Sequence, residues 1–401
     1  MAAQKYVGVT ILVAVVMITT PYYYSMWAKR SEKRFRVHPS GQNEPHPAPK
    51  SSKTQTGAAT ERNRVSIEAS LNSETVTKDT SSKKADSIRS DSKTNLLIIG
   101  RMSSASSATG MLFSKRDDTF YVGEPGHMLC KTVFHKHTYI DSADYLEEMQ
   151  PQLCQFLGDM FSCDFSSHGY YVDQLNLKGV HPGRRSFGNL NYPITTAVLS
   201  KFCQSKHNII AKVLRFSDIT PCLPTFQKYN VKFVFLARDP RGLITSRLRR
   251  WGPILANLNN EESDKYFPVA KIVKEHCAWL DKVFNLLKDG PKWFRENSML
   301  VRFDDKCLFP GTIDQAIYDF VGIAAPSPSS PISQSHNESA RNWLITHSYE
   351  RMRELQDYCP EHIYNEFGWL VINNKKEFEK AKNSWYRPMP RDEIIPSYNL
   401  P

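Results

Sequence analysis

Five short apolar runs stand out between residues 95 and 303, set among longer stretches in which apolar and polar positions mix with a helical period. The first, Asn95-Leu96-Leu97-Ile98-Ile99, has no polar alternation, which predicts a strand buried on both faces as in parallel α/β sheets. Thr119-Phe120-Tyr121-Val122, Asn208 to Arg215, Val231 to Ala237 and Ser298 to Phe303 read as four more strands, the Val231 run being the richest in aromatic and β-branched residues. Helices are expected at Tyr145 to Leu157, Val269 to Leu287 and Arg341 to Tyr358, whereas Phe165 to Pro193 reads as irregular. No internal repeat is evident.

Two of these strands end in residues suited to anions. After Gly100 the chain runs Arg101-Met102-Ser103-Ser104-Ala105-Ser106-Ser107, a hydroxyl-rich stretch that can lead into a helix whose free backbone N–H groups form an anion cradle. An ordinary Ser-rich turn explains this segment about equally well on its own. Neither Gly-Lys-Ser/Thr nor Gly-x-Gly-x-x-Gly follows the strand, which argues against a P-loop kinase, a nucleoside triphosphatase or a dinucleotide-binding domain. The second junction is Arg238-Asp239-Pro240-Arg241, with Pro240 suited to a first helical turn and Asp239 to its cap. Eight residues, about two turns, separate Arg238 from Ser246, so both could reach one phosphate; a basic helix with solvated charges, including Arg241, Arg247, Arg249 and Arg250, is the plainer alternative. Between the junctions, Gly123-Glu124-Pro125-Gly126-His127 forces a turn that puts Glu124 at a strand's carboxyl edge, where open α/β sheets place ligands.

Charge sharpens the picture. Fifty-two Lys and Arg against 41 Asp and Glu give a net +11, which favours nucleotides, anionic glycans, nucleic acid or membrane headgroups as partners without choosing among them. The organisation expected is a short tail at 1–5, a membrane anchor at 6–27, a Ser- and Pro-rich flexible stem at 28–94, a catalytic body at 95–375 and a peripheral tail at 376–401. Tyr22, Tyr23, Tyr24 and Trp27 suit a membrane interface. Lys29, Arg30, Lys33, Arg34 and Arg36 would keep the stem cytoplasmic by the positive-inside rule, while eight cysteines, all between 130 and 359, fit disulfides in an oxidising lumen. Reduced core cysteines are the alternative, no pairing follows from the spacing, and no Cys-x-x-Cys metal signature is present. Asn337-Glu338-Ser339 is a single glycosylation sequon.

Taken in order from about Asn95 to Leu370, the strand and Ser-rich loop, Glu124-Pro125, Lys212-Val213-Leu214-Arg215, Arg238-Asp239-Pro240-Arg241 with Ser246-Arg247, Val301-Arg302-Phe303-Asp304-Asp305, Cys359 and Gly368 resemble the Golgi carbohydrate sulfotransferases of the galactose, N-acetylgalactosamine and N-acetylglucosamine 6-O-sulfotransferase group. The resemblance implies a P-loop-like parallel sheet flanked by helices, behind one transmembrane helix and a disordered stem. It also implies a type II Golgi membrane protein with a luminal body, a glycan acceptor and no nucleic acid partner. The sulfonate donor would be 3′-phosphoadenosine-5′-phosphosulfate, with no metal needed. By the same resemblance Ser103, Ser104, Ala105, Ser106 and Ser107 wrap the 5′-phosphosulfate, Arg238 and Ser246 hold the 3′-phosphate, and Glu124 is the general base for the sugar 6-hydroxyl. The chain departs from the family pattern Arg-Ser-Gly-Ser-Ser, placing Ser103 where the arginine stands and Ala105 where the glycine stands. Arg101, two residues earlier, is expected to replace the missing cation across roughly 6–7 Å of extended backbone. A catalytically weak or inactive member that still binds glycan or nucleotide is the alternative. Acceptor choice is expected in Phe165 to Pro193 and Trp251 to Phe267.

Overall fold

The computed structural model describes residues 93–132, 143–177, 193–255, 267–326 and 337–387. The expected tail, anchor and nearly all of the stem lie outside these residues, as do most of the stretches expected to choose the acceptor. No helix among the described residues is long and apolar enough to cross a membrane.

All five apolar runs form strands: β1 (Thr94–Gly100), β2 (Thr119–Gly123), β3 (Asn208–Val213), β4 (Val231–Ala237) and β5 (Ser298–Arg302). They make one sheet in the order β2-β3-β1-β4-β5, with every neighbouring pair parallel. The strands are mostly apolar because both faces of the sheet are covered. Leu97 and Ile99 of β1 enter one core cluster, and Leu96 and Ile98 enter another. The first cluster includes residues of α3 (Ala143–Phe161), α4 (Gly169–Asn176), α5 (Thr196–Gln204), α7 (Pro240–Leu255) and α8 (Val269–Asp289). The second packs α1 (Ser106–Ser114) and α11 (Pro310–Val321) through Phe113, Ile313, Ile317 and Tyr318. The remaining described α-helices are α2 (Pro125–Thr132), α6 (Leu223–Lys228), α9 (Lys292–Glu296), α10 (Phe303–Leu308), α12 (Asn337–Thr346), α13 (Tyr349–Asp357), α14 (Glu361–Glu366) and α15 (Lys375–Ala381).

The doubly covered parallel sheet is the α/β architecture expected. In this strand order the chain leaves central β1 toward β2 and β3 on one side and reaches β4 and β5 on the other. The loops after β1 and β4 therefore part at the carboxyl edge, where such sheets open a ligand crevice.

Three local readings change. The expected helix Arg341 to Tyr358 is two helices, α12 and α13, because Ser348 stops the run and its hydroxyl caps α13 by accepting from Arg351 N–H. The stretch read as irregular contains α4. Residues 376–387, assigned to a peripheral tail, pack into the body: Phe378 and Ala381 are buried, and Tyr386 donates to Asp305 Oδ1 at 2.9 Å. That anchorage joins groups far apart in sequence, which a local charged composition does not reveal.

Candidate active site

Both expected β-to-α junctions form, and they meet. After β1 the chain turns through Ser103 (φ 75°) and Ala105 (φ 64°) into α1, whose N-terminus has no side-chain cap. Ser104 and Ser106 are buried, Ser107 is exposed, and the Ser104 hydroxyl has no hydrogen-bond partner among the described residues. An uncapped helix start beside a buried, unpaired hydroxyl is the arrangement an anion would complete.

The second junction supplies the cations. Asp239 Oδ1 accepts from Arg241 N–H at 2.8 Å and caps α7, with Pro240 in the first turn as expected. Arg238, 5% exposed, donates to the carbonyl of Ser103 and, at 3.3 Å, to that of Ser339. Its guanidinium lies 3.8 Å from the centre of the Phe303 ring, and its Nε has no hydrogen-bond partner among the described residues. Burial pulls its pKa down to about 10 against the opposing field of Asp304, so it stays a cation at neutral pH. Arg247 donates to the carbonyl of Met102 at 3.2 and 3.3 Å. Two arginines from the second junction thus grip consecutive carbonyls of the first. Ser246 is half-buried on the same helix, and among the described residues no hydrogen bond joins it to Arg238.

Not every arginine of the second motif faces a ligand. Arg241 is fully buried, held by Asp239 at 2.6 and 3.0 Å and by Gln356 at 2.8 Å, between the rings of Trp343 and Tyr364. Its role is to lock α7 to α12, α13 and α14.

Glu124 stands where the turn signal placed it, at the carboxyl end of β2 with φ 61°. Its N–H donates to the Lys212 carbonyl at 2.8 Å, and its side chain is 15% exposed. Arg215 Nη1 donates to Glu124 Oε2 at 2.6 Å, and Lys212 Nζ is 3.5 Å from Oε1. Gly126 permits this grip, since a Cβ there would come within 3.1 Å of the Arg215 side chain. Because β3 lies between β2 and β1, Lys212 comes from the strand between the acid and the Ser-rich loop. Lys212 and Arg215 were given no individual role from sequence; their three-residue spacing at the end of an apolar strand was the available signal.

Arg101 is 3% exposed, with its guanidinium 5.8 Å from the centre of the Trp279 ring on α8. His276, on the same helix, shares a 2.9 Å hydrogen bond with the Arg238 carbonyl. The Asp304-Asp305 pair that closes β5 is structural in its contacts. Arg302 Nε donates to Asp305 at 2.8 Å, and Trp369 Nε1 donates to Asp304 at 2.7 Å.

A parallel α/β sheet with a hydroxyl-rich loop, buried arginines and a cation-flanked carboxylate along one edge defines the class: an α/β fold whose polar and charged side chains gather at the carboxyl edge of its sheet. No protein-family model matches the chain. Among curated proteins it is similar to carbohydrate sulfotransferase 1 of Danio rerio, 21% identical over 349 residues that span 74% of this chain and 82% of that protein. It is 25% identical to carbohydrate sulfotransferase 5 of Homo sapiens over 321 residues, spanning 67% of this chain and 76% of that one. Carbohydrate sulfotransferases 4 of Mus musculus and 6 of Homo sapiens are similar at 21% and 23% identity. The resemblance to carbohydrate sulfotransferases read from the motifs is therefore borne out over most of the chain's length. Among solved structures, a sulfotransferase domain from the curacin biosynthetic pathway aligns over 74% of this chain and 99% of its own, with TM-score 0.35 and 15% identity.

Proposed function

We propose that this protein is a carbohydrate sulfotransferase that moves a sulfonate from 3′-phosphoadenosine-5′-phosphosulfate to a hydroxyl, at C6, of a glycan hexose or N-acetylhexosamine. The observation that carries the reading is the Arg238 bond to the Ser103 carbonyl, because it joins the two junctions that such a donor must bridge. Ser104, Ser106 and the N-terminal N–H groups of α1 would hold the 5′-phosphosulfate, with Ser103, Ala105 and Ser107 shaping the loop. Arg238 and Ser246 would hold the 3′-phosphate, for which the free Arg238 Nε is a ready donor.

Glu124 takes the proton of the sugar hydroxyl as that oxygen bonds to sulfur. The bond from sulfur to the nucleotide phosphate oxygen breaks, leaving the bisphosphate nucleotide and a protonated Glu124 that returns its proton to solvent. Fixed cations stabilise the phosphate as charge builds on it. Arg101 and Lys212 are the two candidates for the cation that Ser103 replaces. The three disulfides support placing the body in an oxidising lumen, which accords with a type II Golgi membrane protein.

The test is incubation of the purified full chain with ³⁵S-labelled donor and a panel of glycans. Transfer to a 6-hydroxyl acceptor, reduced about a hundredfold or more in Glu124→Gln with nucleotide binding retained, is the expected result. A second reading, a member that binds but transfers little, is favoured by Ser103 in place of the family's arginine. Nucleotide binding without transfer to any acceptor would leave that reading standing in place of the first.

A further inference from the structure

Away from this edge, α8 and α14 bring together three metal-ligating side chains. One oxygen each of Asp281 and Glu366 and a ring nitrogen of His362 all lie within 4.8 Å of one another, and Asp281 Oδ1 is 3.4 Å from His362 Nε2. His362 and Glu366, four apart on α14, share one helical face. Asp281 comes from α8, one turn after Cys277, which is disulfide-bonded to Cys359 three residues before His362. The cross-link therefore sets the register that aligns the donors.

Glu366 Oε2 is buried and accepts no hydrogen bond among the described residues. Zinc bonds of about 2.0–2.2 Å in tetrahedral geometry separate neighbouring ligand atoms by about 3.4 Å, the spacing already present between Asp281 and His362.

We propose that Asp281, His362 and Glu366 form a binding site for one Zn²⁺ ion, completed by solvent beside the exposed His362. The imidazole with two carboxylates is a borderline donor set that suits zinc over calcium or magnesium. The ion would bind the two carboxylates together and tie α14 to the helix whose His276 supports Arg238. It takes no part in the transfer chemistry, so the proposal stands or falls apart from the sulfotransferase reading.

The experiment is calorimetric titration of the EDTA-stripped full chain with ZnCl₂, paired with thermal unfolding. Wild type is expected to bind one Zn²⁺ per chain and to gain Tm with the logarithm of free metal. His362→Ala, at an exposed position, and Glu366→Gln, which keeps the side-chain shape, should each weaken binding about tenfold or more. Absence of binding to wild type, or equal binding by the well-folded variants, would overturn the proposal and leave His362 and Asp281 as a surface ion pair.

Discussion

Ala105 adopts a left-handed conformation at the entrance to α1 (φ 64°, ψ 13°) and offers that helix no side-chain cap. A Cβ in this region costs on the order of 1 kcal/mol relative to glycine, partly offset by the greater freedom glycine has when unfolded. Ala105→Gly should therefore stabilise the protein by about 0.5 kcal/mol, read from urea denaturation. The positive φ at Ala105 gives a backbone reason for the glycine that stands at this place in the family pattern. The missing arginine is a separate matter at the same scale. Arg101 stacks near Trp279, while Lys212 pairs with Glu124 between the acid and the loop. Loss of the group that neutralises the departing phosphate should lower transfer about a hundredfold. If Arg101 fills that role, Arg101→Ala shows this loss and Lys212→Ala does not; the reverse pattern assigns the role to Lys212. Motifs of consecutive residues pointed to Ser103 to Ser107, Glu124 and Arg238 as candidates, but did not show that Arg241 would turn inward to Asp239 and Gln356. Gln356 is 115 residues away, and nothing in the local pattern links the two.

At the scale of elements, strands were read well because burial on both faces forces an unbroken apolar run. Helix ends were read less well, since single residues such as Ser348 decide them. The turn from β5 into α10 carries a titration that the sequence did not suggest. Burial pushes Asp304 up to about 7, with Arg302 opposing and Asp239 and Asp305 adding to the rise. Between about pH 4 and 7 the folded chain holds a proton that the unfolded chain has released. The stability tied to that proton is thus fully present below about pH 4 and is lost as pH rises through about 7. Asp304→Asn, which keeps an acceptor for Trp369, removes this dependence. Chemical denaturation at pH 5 and pH 8 should show the variant gaining on wild type at the higher value.

For the whole molecule, three disulfides close loops on one side of the sheet: Cys154–Cys222, Cys163–Cys203 and Cys277–Cys359. Cys130 and Cys307 are buried thiols, so the eight cysteines divide between the two states the sequence left open. Cys277–Cys359 spans 82 residues, for which the chain-entropy account gives about 4.5 kcal/mol. Replacing both with alanine should cost roughly that amount in non-reducing urea denaturation. The grip of Arg238 and Arg247 on the carbonyls of Ser103 and Met102 fastens the turn after β1 from outside its own sequence. The shape of that turn is thereby set by a helix more than a hundred residues downstream, while the Arg238 Nε is left over from the fastening.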